Sequence, residues 1–166
     1  MRGWILGGDD VSDYAIVADT STKHTGHVSG SLRAVASRPR GFGTLMQSFK
    51  QDAYLGKRLR LSAFIKTDNV IGWAGLWMRV DGPSERRSTA FDNMQDRPIV
   101  GTTDWTRYDV VLDVASDTSN IAFGVLLNGA GQVWLDDVRF EIVKSSVPTT
   151  GSAKQRATPE NLDFEL

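Results

Sequence analysis

Alternation is the feature that most constrains this chain. Short runs in which every second residue is apolar recur along it, separated by clusters of Gly, Asp, Asn, Ser and Pro. A period of two marks strands with one buried face. Leu59, Leu61, Ala63 and Ile65 form one row, Tyr108, Val110, Leu112 and Val114 a second, and Ile121, Phe123, Val125 and Leu127 a third. Three such rows need an opposing apolar layer, so the expected fold is all-β, a two-sheet antiparallel β-sandwich of the jelly-roll kind. Strands are predicted at residues 14–19, 31–37, 43–50, 58–67, 72–80, 107–114, 120–127 and 132–141, with a short one near 89–94. Residues 51–56, the one stretch with any helical character, read as a turn.

The 72–80 run has two unlike faces. Ala74, Leu76, Met78 and Val80 suit a core, whereas Trp73, Gly75, Trp77 and Arg79 place two indoles and a guanidinium on the other side. A solvated antiparallel sheet more commonly shows Thr, Lys or Glu there. Two readings stand: a binding surface, or a strand buried on both faces with the tryptophans as packing residues.

A length of 166 residues suits a single domain with a short extension. The apolar pattern fills residues 1–143; residues 144–160 have linker composition, and 161–166 regain a strand-like alternation of Leu162, Phe164 and Leu166. With 19 basic and 20 acidic residues and a formal net charge of −1, the chain offers no broad field for nucleic acid or an anionic membrane. It has no cysteine, which excludes disulfides and thiolate metal sites. The apolar start is cut short by Gly7-Gly8-Asp9-Asp10, too early for a signal peptide, and no run approaches a membrane span, an expectation that favours a cytoplasmic location.

Catalytic patterns are weak. Asp136 and Asp137 are adjacent in a predicted strand and point to opposite faces, so they cannot flank a glycosidic bond. Only His24 and His27 are available to a triad or a zinc site; both sit in a Thr/Gly/Ser-rich loop and read as solvated. The chain is therefore read as a non-enzyme.

Several segments, taken in order, resemble a known group. They are Gly26–Arg33, similar to the Gly-x-x-Ser-Leu run of an early strand in that group, Leu45–Phe49 with a central Gln, Gly56–Lys66, Asp104–Tyr108 with Trp-x-x-Tyr, and Trp134-Leu135-Asp136-Asp137-Val138-Arg139-Phe140. Together they resemble carbohydrate-binding modules of the family 4/9/22-like, galactose-binding-like jelly-roll group. That resemblance implies noncatalytic binding of a carbohydrate or similar small polar ligand. It also implies a structural calcium near the closing Asp-Asp pair, with Asp136 carried over as its ligand and Asp163 or Glu165 as partners. The alternative for Asp136 and Asp137 is hydrogen bonding to backbone at the sheet end. Members of the group open with an Asn-x-x-Phe-Glu strand before a Gly-Trp; here Gly3-Trp4 comes first and Asn161–Glu165 last. The tail is thus expected either to return as an edge strand, in its own molecule or exchanged into a homodimer, or to begin another module.

Ligand contacts are expected from Trp73, Trp77 and Arg79, with Asn128 at the rim of a groove over the small residues of 120–128 and Phe64 and Gln47 at its border. Residues 89–98 pack Phe91, Asp92, Asn93 and Met94 into a short irregular stretch, read either as a specificity loop using Asp92 and Asn93 or as a turn anchored by Phe91 and Met94. Two functional classes follow: a carbohydrate-binding module, or a ligand-sensing or dimerisation domain of a transcriptional regulator that binds no sugar. A tryptophan face made for another protein is a third.

Overall fold

The computed structural model describes residues 1–84 and 88–151; the tail at 161–166, with Asp163 and Glu165, lies outside the described residues. Eight strands follow in order: β1 (Ile5–Gly8), β2 (Tyr14–Asp19), β3 (Ser29–Ala34), β4 (Phe42–Phe49), β5 (Arg58–Asp81), β6 (Ser88–Asp92), β7 (Ile99–Asp113) and β8 (Asn120–Val143). Single 3₁₀ turns lie at Val11–Asp13 and Asp52–Tyr54. No helix among the described residues is long and apolar enough to cross a membrane.

The frame is a two-stranded ribbon. β5 and β8, 24 residues each, pair antiparallel from Arg58 opposite Val143 to Asp81 opposite Asn120. The sequence predicts a break in each near 68–71 and 128–131, and the structure shows a bend there instead. The register slips between Asp68 and Ile71. Asn69, Gly72, Gly129 and Gly131 all take positive φ (49°, 107°, 85° and 117°). A Cβ on Gly129 would stand 2.2 Å from the Ile71 carbonyl oxygen, and one on Gly72 2.2 Å from that of Asn128. Glycine is what lets the two backbones meet at this corner, where strands pass from one sheet to the other.

The bend creates two facing layers. One runs β1–β4–β8–β5–β6, using the first half of β8 and the second half of β5. The other runs β2–β3–β8–β5–β7, using the remaining halves. All three predicted apolar rows point between the layers, with Tyr108 only partly buried but packed against the same core; Leu61, Ile65, Val110, Ile121 and Leu127 are fully sealed. Phe123 of the first layer meets Phe140 of the second edge-on at 4.8 Å. β1 escapes sequence reading because it has four residues, two of them glycine.

The Asp136–Asp137 pair closes one end as a latch on the loop after β2. Asp136 Oδ2 accepts the backbone N–H groups of His24 (2.8 Å) and Thr25 (3.2 Å), and Oδ1 accepts that of Asp137. Asp137 accepts from Thr25 Oγ1 (2.8 Å) and from His24 Nδ1 (2.6 Å), which must carry the proton because a carboxylate only accepts. His24 is therefore engaged, contrary to its reading as a solvated histidine, and its ring stacks on Phe64 with centroids 3.7 Å apart. The donors aimed at Asp136 are backbone N–H groups. Among the described residues no three His, Asp or Glu side chains gather as metal ligands. Asp163 and Glu165, the partners expected for Asp136 in a calcium site, lie outside the described residues.

The hydrogen bonds from His24, then Thr25, hold the Asp137 carboxyl below the ordinary carboxylate range. A carboxyl depressed in the folded chain stabilises it above the unfolded value and loses that contribution as pH falls through the folded one. Melting temperature should thus fall as pH drops below about 4. Asp137→Asn should start lower at pH 7 and show a shallower decline between pH 5 and 3, measured by thermal denaturation across that range.

The stretch with linker composition is partly structured. Arg58 donates to the carbonyls of Ser145 and Val147, both at 2.6 Å, and Thr150 exchanges hydrogen bonds with the backbone of Val111. Ser145 and Val147 are therefore tied to β5 and Thr150 to β7.

Candidate functional site

The face of the first layer turned away from the core is a cleft of about 380 Å³. Register explains its floor. Trp77 of β5 stands opposite Gly124 of β8, which in turn stands opposite Met46 of β4. With no side chain at Gly124, the Trp77 indole lies across β8. Its Nε1–H donates to Thr44 Oγ1, two strands away, at 2.8 Å, and Thr44 Oγ1 donates onward to the Val125 carbonyl at 2.9 Å. Trp77 is 6 % exposed and packs with Ala122, Leu126, Phe42 and Met46. It is the floor of the cleft and not a free platform.

Trp73 is a wall. It lies four residues before Trp77, about 13 Å along an extended strand, and is half-buried. The gap at Gly75 is filled by the loop after β6, because a Cβ there would meet the Asn93 carbonyl oxygen at 2.5 Å. That loop is braced from behind: Asp92 accepts the Met94 N–H (2.8 Å) and the Arg97 guanidinium, and Arg97 also binds Asp96 and the Asp109 carbonyl. Met94 is buried in the core at φ 62°. At the far end Arg79 grips Asp81 through Nε (2.7 Å) and Nη2 (3.2 Å), while Asp81 also accepts from Asn120. Phe91, opposite Arg79 and 41 % exposed, completes that end.

Of the residues expected from sequence, Trp73, Trp77, Arg79, Asn93 and Asn128 come together in the cleft. Three do not. Asp92 is 3 % exposed and spent on Arg97 and Met94. Gln47 shares its face with Leu45 and Phe49, turned inward beside Gly3. Phe64 lies in the half of β5 beyond the bend, on the outer face of the other layer. Trp105 is half-buried on that same outer face, 5.8 Å from His24. Sequence reading missed Phe42, Thr44 and Met46, whose outward parity on β4 was the available signal, and Gly8 and Asp9.

The arrangement can bind, and it holds little that could react. An apolar floor of indole, Leu126 and Met46 is bordered by the amides of Asn93 and Asn128, the Asp9 carboxylate and the Arg79 guanidinium. Asp9 is the single carboxylate among the described lining residues, with no histidine beside it. Acid–base pairing of the kind glycoside hydrolysis requires is not assembled there. A wider groove of about 640 Å³ runs beside β6 and β7 and is lined partly by Thr149, Thr150 and Gly151, so it is the seat of the last described residues.

No family model matches the chain. It is 47 % identical over 169 residues to an uncharacterized HTH-type transcriptional regulator, YbfP, of Bacillus subtilis (strain 168). The match takes in 99 % of this chain and 57 % of the relative, so the chain spans little more than half of that protein's length. Among solved structures, the CBM22-1 xylan-binding domain of Paenibacillus barcinonensis Xyn10C superposes with a TM-score of 0.61 at 14 % identity, over 87 % of this chain and 88 % of that domain. The enzymatically active domain of bacteriophage CBA120 tailspike protein 4 matches with a TM-score of 0.65 at 14 % identity, over 86 % of this chain and 20 % of that one. The chain thus has the β-sandwich fold of the carbohydrate-binding modules.

Proposed function

We infer that this chain is a noncatalytic binding module whose cleft takes a carbohydrate or a similar small polar ligand. The observation that carries the reading is the cleft itself: an indole floor held in place by a hydrogen bond to Thr44, a second indole as wall, and amides at the rim. Sugar rings have C–H faces that settle on such aromatics, while their hydroxyls find fixed polar partners around the edge. The fold shared with a xylan-binding domain supports the same choice of ligand class.

In its full-length setting the module serves as the ligand-sensing part of a transcriptional regulator. Likeness to an HTH-type regulator over nearly the whole chain supports this, and so does the route of residues 145–151. Gly151 packs on the back of the cleft wall, where a Cβ would stand 2.4 Å from Asp92 Cβ and 2.9 Å from the Phe91 carbonyl oxygen. A shift of the 92–98 loop on ligand binding would be felt by the last described residue. A glycan array tests the ligand class: binding to at least one oligosaccharide is expected, reduced at least tenfold in Trp73→Ala at a temperature where the variant is still folded. An array with no binder would contradict the carbohydrate reading.

A further inference from the structure

The outer face of the second layer carries another cavity, of about 390 Å³, that shares no lining residue with the cleft. Its floor is Ser62 and its wall is Phe64, whose ring is covered by His24. Arg107 of β7 flanks β5 on one side and Arg139 of β8 on the other; Phe64 stands opposite Arg107 and Ser62 opposite Arg139. The carboxylates nearby already have partners. Asp137 is held by His24 and Thr25, Glu141 by Arg60 at 3.2 Å, and Asp109 by Arg107 Nε at 3.1 Å.

What is left over is donor capacity. Arg139 has no ion-pair partner among the described residues, and Arg107 spends only its Nε, leaving both amino groups unengaged. Ser62 is 7 % exposed, lines the cavity, and its hydroxyl makes no hydrogen bond among the described residues. Its oxygen is open to the cavity, and the hydroxyl is free to donate to a molecule held there. Two guanidinium groups on strands about 10 Å apart, with a hydroxyl between and below them, form a fork suited to a single anionic group.

We propose that this cavity is a second ligand site, independent of the cleft, for a small molecule carrying a carboxylate or a phosphate. The anion sits between Arg107 and Arg139 and accepts from Ser62, and the body of the ligand lies against Phe64. The test is calorimetric titration at fixed ionic strength, on the full chain and on Trp73→Ala, with inorganic phosphate, glucose 6-phosphate, glucuronate and neutral glucose. At least one anionic probe should bind with one-to-one stoichiometry, equally in both proteins. Affinity should fall at least tenfold in Arg139→Ala and in Arg139→Gln, and comparably in Arg107→Ala. Binding of both phosphate probes assigns a phosphate; binding of glucuronate alone assigns a carboxylate. Failure of every anionic probe, or affinity kept within twofold in the arginine variants, overturns the proposal. Because Trp73→Ala silences only the cleft, failure there leaves this result separately readable.

Discussion

Trp77→Ala should cost about 3–5 kcal/mol of folding stability, the range for removing a large buried aromatic. The indole is 6 % exposed, spans β8 to reach β4, and donates to Thr44 Oγ1 in a site closed by Leu126, Phe42 and Met46. Truncation opens a void across two strands and leaves the Thr44 hydroxyl without its donor. Trp73→Ala, at a half-exposed wall, should cost no more than about half as much, because far less apolar area leaves water there. Urea denaturation of the two variants reads the contrast. A Trp77→Ala cost below about 1 kcal/mol would mean the ring is not the structural floor described above.

Gly129→Ala should be damaging for a different reason, costing about 2–5 kcal/mol from left-handed strain combined with overpacking. Gly129 sits at φ 85°, and a Cβ would fall 2.2 Å from the Ile71 carbonyl oxygen, part of the backbone and unable to rotate away. The corner would have to open, and both layers share the ribbon that turns there. Gly26→Ala is the control. Its φ is also positive, at 63°, but nothing lies within 4 Å of an added Cβ, so it should show the backbone strain alone. Equal melting temperatures for the two variants would contradict the close approach at the bend.

Much of the fold was legible because period-two alternation is a local property. The rows Leu59–Ile65 and Ile121–Leu127 place their own faces without knowledge of any partner strand. What alternation cannot carry is continuity. Asp68–Gly72 and Asn128–Gly131 have the composition of turns, yet they are the bends of two unbroken strands, since glycine serves both purposes. The same limit shaped the site. Trp73, Trp77, Arg79 and Asn128 were found by parity on strands that proved to be neighbours. Phe64 has the outward parity expected of it, but the bend carries it to the opposite layer. Thr44 and Met46 enter through the pairing of β4 with β8, about 80 residues distant in sequence, which no local pattern encodes. Asp92 was drawn away by Arg97, five residues on, a choice set by the tight loop around Met94.

The most direct test of the cleft as a carbohydrate site is to follow the five tryptophan indole N–H signals by ¹H–¹⁵N NMR during titration with an oligosaccharide selected on the array. Each is assigned by a single Trp→Phe variant. Saturable shifts of Trp73 and Trp77, with Trp4, Trp105 and Trp134 unmoved, are the predicted result. Saturable binding that leaves the Trp73 and Trp77 signals in place would contradict it.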